Sequence, residues 1–186
     1  MNEPRLTNPA VRWEQGQEGP LDCSTMFVDL VSSSEFASVL GISDYAKYVQ
    51  SFQAICLAEC EYFFETLLAE TYNAGLDYSF RCTGDELIVF LHSGRPHNDV
   101  YQLICLAIAL KCAWLTSEQN IYRITHGLGS AELAVGINHG QVWGKRLESG
   151  FDLCGFSINL AKRVESMSRQ GERFRVFVSD PAFKQV

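Results

Sequence analysis

Residues 24–31 read Ser-Thr-Met-Phe-Val-Asp-Leu-Val, an almost wholly apolar run that carries one aspartate, Asp29. A run of this kind fits a central strand covered on both faces, because an exposed strand would alternate apolar and polar residues. The carboxylate inside it needs partners, since burying an uncompensated charge is costly. One account is a strand-end Asp satisfied by the backbone amides of the next turn. The other is a ligand. Ser32-Ser33-Ser34 ends the strand and offers N-caps for a short helix through Leu40.

Around that strand the chain alternates helical and strand patterns. Ser43-Asp44 opens a long helical stretch reaching about Asn73, with Tyr48, Phe52, Ile55, Leu57, Phe63, Phe64, Leu67 and Leu68 as its apolar residues and Gly75 as its stop. Asp77–Cys82 and Glu86–Leu91 read as a hairpin bent at Thr83-Gly84-Asp85. Asp85 at that bend is either a good turn residue or a second ligand. A helix from Asn98 to Leu115 follows, then a connection over 116–130. Glu132–Asn138 is an apolar strand ended by His139-Gly140, and Val142-Trp143 adds a short one. Gly155–Ser168 reads as a helix with Ile158, Ala161, Val164 and Met167 on one face, and Phe174–Val178 as a late strand. This order predicts an α/β (α+β) fold, a mostly antiparallel central sheet with flanking helices. Residues 1–20, with Pro4, Pro9, Gly16, Gly19 and Pro20, are expected to form an irregular arm, and 21–186 one domain.

Composition excludes several classes. With 47% apolar and 20% charged residues in 186, the chain can build one core and is too apolar for a disordered polymer. A formal net charge of −7 argues against sequence-independent nucleic-acid binding, which needs clustered cations. It leaves room for a phosphate-bearing small molecule held by local cations and a metal. The seven cysteines are odd in number, scattered and mostly set in apolar runs. They predict free thiols in a reducing, cytoplasmic protein. Met1–Gly19 is too polar for a signal peptide, and the Val100–Leu115 run is interrupted by Gln102 and Lys111, so no membrane association is expected.

Four segments, in order, resemble class III nucleotide cyclases. Phe27-Val28-Asp29-Leu30-Val31-Ser32-Ser33-Ser34 resembles the first metal motif, and Arg81-Cys82-Thr83-Gly84-Asp85 the second. Val135–Val142 resembles the strand-turn before the base-reading loop. Phe151–Arg163 resembles the Asp…Gly…Asn-x-x-x-Arg segment. The resemblance covers about residues 24–183 and implies a ferredoxin-like cyclase catalytic domain.

Such a domain cyclises a nucleoside triphosphate: the ribose 3′-oxygen attacks the α-phosphorus and pyrophosphate leaves. Two divalent cations about 4 Å apart suit that step, and hard Mg2+ or Mn2+ ions favour carboxylate oxygens. The resemblance implies Asp29, Asp85 and the Leu30 carbonyl as metal ligands. It implies Phe27 and the Val31, Ser32, Ser33 and Ser34 turn as nucleotide-binding, through free amides that take the β- and γ-phosphates. Asn159 and Arg163, four apart on one helix face, are implied as catalytic: Asn159 positions ribose and Arg163 stabilises the α-phosphate. Because the family divides these sets between protomers, a chain with both is expected to form a head-to-tail homodimer with shared sites.

The base-reading positions hold Arg81 and Asp152. Arg81 donates only, which disfavours guanine, whereas uracil offers two carbonyl acceptors to Arg81 and a ring N–H to Asp152. Arg also forks more broadly than the family's usual Lys. Tyr48 is a candidate to narrow the pocket. A further resemblance, to the stand-alone pyrimidine cyclases of bacterial anti-phage Pycsar systems, implies UTP as substrate and cyclic UMP as a second messenger. CTP, ATP and a catalytically degenerate nucleotide-binding domain stay open as alternatives. The family's phosphate-binding Lys has no assigned counterpart; Lys184 lies too early, and Arg95 or Lys145 could substitute.

Overall fold

The computed structural model describes residues 13–68, 76–148, 150–171 and 174–186. The apolar strand is β1 (Glu18–Leu30), followed by helices α1 (Ser33–Val39) and α2 (Ile42–Glu61) and a π-helical turn, Tyr62–Leu68. The hairpin is β2 (Asp77–Thr83) and β3 (Glu86–His92). Then come α3 (Pro96–Leu115), α4 (Glu118–Thr125), β4 (Leu133–Leu147), β5 (Gly150–Cys154), α5 (Phe156–Ser168), β6 (Val176–Val178) and α6 (Asp180–Phe183).

The strands pair in the order β2-β3-β1-β4-β5, all antiparallel, with β6 added parallel to β4. The unit β1-α-β2-β3-α-β4 in the order 2-3-1-4 is the ferredoxin-like arrangement expected from the sequence. Strand alternation divides β1 between two cores. Met26, Val28 and Leu30 face a large core with Leu87, Val89, Leu133, Val135 and Ile137, roofed by Tyr48, Phe52 and Cys56 of α2 and by Leu103, Leu106 and Trp114 of α3. Leu21, Cys23 and Phe27 face a smaller core with Ile88, Phe90, Val142 and Ala161 of α5. Asp29 belongs to this second face.

One glycine sets how α5 lies on the sheet. A Cβ at Gly136 would stand 2.6 Å from the Ala161 carbonyl oxygen, so only glycine lets the α5 backbone come this close to β4. Gly84 turns the β2–β3 hairpin with φ of +60°.

Several sequence expectations shift. Glu18–Pro20, assigned to an irregular arm, begin β1 and pair with β4 at Lys145, Gly144 and Trp143. The 116–130 connection contains α4, capped by Ser117, whose side chain accepts from the Asn120 amide. Its mostly polar composition hides it from an apolar-period search. His139-Gly140 does not end its strand: β4 runs on through Trp143 because β1 is long enough to pair with it throughout. On α5, Met167 is exposed, and Glu165 and Ser168 are buried in its place. Helix α3 has 20 residues, enough by length and composition alone to cross a membrane, but Val100, Leu103, Leu106 and Leu110 pack into the large core. The expected helix stop at Gly75 lies outside the described residues.

Candidate active site

The end of β1 and the hairpin bend meet. The Leu30 amide donates to the Asp85 carbonyl at 3.2 Å. The Ser33 hydroxyl, at the start of α1, donates to the Asp85 carboxylate. The register sets Asp29 opposite Glu86 on one side and Ala134 on the other. The two aspartates singled out by the sequence are thus neighbours, and burial, followed by the nearby Glu165 and Asp85 charges, raises the proton affinity of the Asp29 carboxylate. That carboxyl is pushed up to about 6, by desolvation first, against the opposing pull of Arg169 and Lys162.

Asp29 is 5% exposed and sits in a charged cluster that the sequence reading did not foresee. Ligand oxygens of Asp29, Glu86 and Glu165 lie within 4.8 Å of one another. Lys162 approaches Asp29 at 3.5 Å and Glu165 at 2.9 Å, and also pairs with Glu86. Arg169 reaches Asp29 at 2.5 Å and Glu165 at 2.7 Å. Three carboxylates therefore face two cations. The Asp29 Oδ1 atom is buried without a hydrogen-bond partner. A divalent cation fits this donor set, which offers hard oxygens, a net negative balance and, at Asp29 Oδ1, a buried carboxylate atom without a hydrogen-bond partner.

The signal for Lys162, Glu165 and Arg169 was present in the chain. They recur at spacings of three and four along α5 and its C-cap residue Arg169, on the face that packs on the sheet. Charge on the inner face of a helix beneath a strand aspartate is the expected compensation.

Asn159 and Arg163 lie on the opposite, exposed side of α5. The Arg163 guanidinium stands 6.0 Å from the ring of Phe156, which is 68% exposed. Among the described residues, no hydrogen bond or ion pair joins this pair to Asp29 or Asp85. Arg81, on β2, is exposed and shares a face with Ile88, its register partner. Asp152, on β5, is exposed opposite Lys145. Neither side chain has a hydrogen bond or ion pair among the described residues.

Three residues expected to bind nucleotide make contacts within the chain. Tyr48 packs in the large core against Phe36, at 4.7 Å between ring centroids, and Trp114, at 5.6 Å. It lies on the face of the sheet opposite Arg81, so it cannot narrow a pocket there. Phe27 is buried beneath Lys162, whose ammonium stands 5.7 Å from the ring. The Val31 amide already donates to the Glu132 carbonyl at 2.9 Å, which withdraws it from phosphate binding. Ser32 adopts a left-handed backbone, φ 62°, which turns the chain into α1, and Ser34 is exposed. Of the substitute cations, Lys145 pairs with Glu18 at 3.5 Å and Arg95 precedes α3. Lys184 pairs with Asp180 at 2.6 Å.

Residues 18–184 match the family model described as adenylate and guanylate cyclase catalytic domain. No curated protein matches the sequence. Among solved structures, a bacterial light-regulated adenylyl cyclase is similar over 96% of this chain and 48% of its own, with 16% identity and a TM-score of 0.69. The chain thus spans about half the length of that protein. The adenylyl cyclase CyaB from P. aeruginosa is similar over 91% of this chain and 83% of its own, with 16% identity and a TM-score of 0.63. The guanylate cyclase domain of RhGC from Catenaria anguillulae, in complex with GTP, covers 90% of this chain and 83% of its own, with 16% identity and a TM-score of 0.60.

Proposed function

The chain belongs to the adenylate and guanylate cyclase catalytic domain family, and from that premise we propose that it converts UTP to 3′,5′-cyclic UMP and pyrophosphate. The observation that carries the cyclase reading is the division of α5 into two functional faces. Its inner face carries Lys162, Glu165 and Arg169 to Asp29, while its outer face presents Asn159 and Arg163 to solvent, with no side-chain hydrogen bond or ion pair among the described residues. One chain holds both halves of a site and leaves them apart. A head-to-tail homodimer, in which each α5 offers its outer face to the partner's Asp29 and Asp85, would complete two equivalent sites.

In that assembly Asp29, Asp85 and the Leu30 carbonyl would hold two divalent cations, Mn2+ or Mg2+, which when bound would supply activation of the attacking oxygen and charge neutralisation for the leaving group. Ser33 fixes the Asp85 carboxylate, so the hairpin ligand is oriented before substrate arrives. Asn159 holds the ribose. Arg163 meets charge growing on the α-phosphate with donors of fixed geometry. Arg81 and Asp152 read the base, both exposed and unpaired among the described residues and so open to a ligand. Donor-only Arg81 and acceptor-only Asp152 would together match the edge of uracil.

The biological reading is a cytoplasmic second-messenger enzyme of bacterial anti-phage defence. ATP is the substrate that the adenylyl cyclase neighbours favour, with CTP as a further alternative. Incubation with ATP, CTP, GTP and UTP together with Mn2+, followed by mass identification of the products, separates them. Cyclic UMP as main product is expected; a main product of cyclic AMP overturns the pyrimidine assignment, and no cyclic product from any of the four overturns the enzyme.

A further inference from the structure

On the far side of the sheet from Asp29, helices α1, α2 and α4 line a partly open cavity of about 330 Å³. That is the lower end of the range for small-molecule sites. Its walls are Phe36 from α1 and Leu40 just after it, Tyr48 from α2, and Gln119, Tyr122 and Arg123 from α4. Lys47 and Asp44 stand at its edge, paired with each other at 3.2 Å and so electrically neutral together.

Arg123 is the unusual member. It is only 9% exposed, and among the described residues no carboxylate pairs with it. Its Nε donates to the Gly129 carbonyl at 3.3 Å and one terminal nitrogen to the Leu128 carbonyl at 3.2 Å. The other terminal nitrogen is buried and has no hydrogen-bond partner. The Phe36 ring lies 4.1 Å from the guanidinium carbon and the Tyr48 ring 5.9 Å. A buried guanidinium with carbonyls behind it, rings beside it and donors unused calls for an anion.

We infer that this cavity is a binding site for a small monocarboxylate with a flat apolar body, whose carboxylate takes the free guanidinium donors of Arg123. The planar fork of Arg matches a carboxylate, and charge-assisted bonds of this kind are about twice as strong as neutral ones. Phe36, Leu40, Tyr48 and Tyr122 supply the apolar walls. The site is separate from the nucleotide-reading residues but touches the same short helix: α1 carries Phe36 into the cavity and Ser33 to Asp85.

The probe is benzoate, with benzamide as the uncharged control of the same shape, titrated into the full chain by calorimetry and by the fluorescence of Trp114, whose ring meets Tyr48 edge-on. Saturable benzoate binding is expected, at least about tenfold tighter than benzamide, as one charge-assisted contact implies. Leu40→Trp, which fills the cavity from its wall and leaves Arg123 in place, is expected to abolish it. Arg123→Gln is expected to bring benzoate down to the benzamide level. Should that variant fail to fold, Leu40→Trp decides alone. Equal affinity for benzoate and benzamide, undiminished benzoate binding in Leu40→Trp, or no saturation up to about 10 mM each overturns the inference.

Discussion

Arg169 and Asp29 meet at 2.5 Å, so the carboxylate at the end of the central strand is held by a cation from the helix that covers it. Lys162 approaches the same oxygen at 3.5 Å. A divalent metal arriving at Asp29 must share it with both.

Removing one of these competing cations should strengthen metal binding. Arg169 is about two-fifths exposed, so solvent screens it, and a contribution on the order of 1 kcal/mol, or roughly fivefold in affinity, is expected for Arg169→Gln. Mn2+ titration followed by electron paramagnetic resonance measures this without turnover. An unchanged or weaker Mn2+ affinity in a folded Arg169→Gln protein would show that the cation assists the metal instead of competing with it.

The aspartates themselves are expected to be indispensable. Asp29→Asn or Asp85→Asn should retain below about a tenth of the cyclase activity, because each removes a charge that two cations need. Circular dichroism and thermal melting should show the fold retained. Substantial turnover in either variant removes that residue from the metal site.

The separation of the two faces of α5 makes a mixing experiment decisive. Asp85→Ala and Arg163→Ala should each be inactive alone. Mixed and allowed to exchange subunits, they should recover activity, since half of the composite sites in a heterodimer are intact. Proven exchange with no recovery rules out the shared site.

Base choice should follow Arg81. Leaving a polar group of the site unpaired costs about 1–3 kcal/mol, so Arg81→Ala should lower turnover of UTP by roughly ten- to hundredfold and flatten the preference among bases. A competition assay with all four triphosphates reads this directly. A preference that survives the substitution assigns the reading to Asp152 or to the shape of the pocket.

Stability should fall in mild acid through His139. Its imidazole is 8% exposed, stands 2.9 Å from the Ser24 hydroxyl, and has its pKa lowered, chiefly by burial and in part by His92, with Asp22 opposing. The folded chain therefore binds this proton less readily than the unfolded chain. Its contribution is complete above the ordinary histidine value of about 6.5 and is lost as the pH falls below it. Urea denaturation across that interval should show a shallower loss for His139→Asn. Identical pH dependence in the two proteins would exclude His139 as the source.

The cyclase-like motifs were legible because each is local. Phe27 to Ser34, the Gly84-Asp85 bend and the spacing of Asn159 and Arg163 survive as linear patterns, and β1, the hairpin and α5 all form where those patterns place them. Local chemistry also determines the alternation that puts Met26 and Val28 on one face and Phe27 and Asp29 on the other. What a linear pattern does not carry is which helix covers which face. That depends on Gly136, which admits α5 so closely that Lys162, Glu165 and Arg169 reach Asp29. It also depends on α2 and α3 closing the other face, which buries Tyr48 away from Arg81. Charge pairs and core contacts between residues more than a hundred positions apart exist only once the sheet has brought them together. The compensation of a buried aspartate was therefore decided by the tertiary structure, while the aspartate itself was written in the strand.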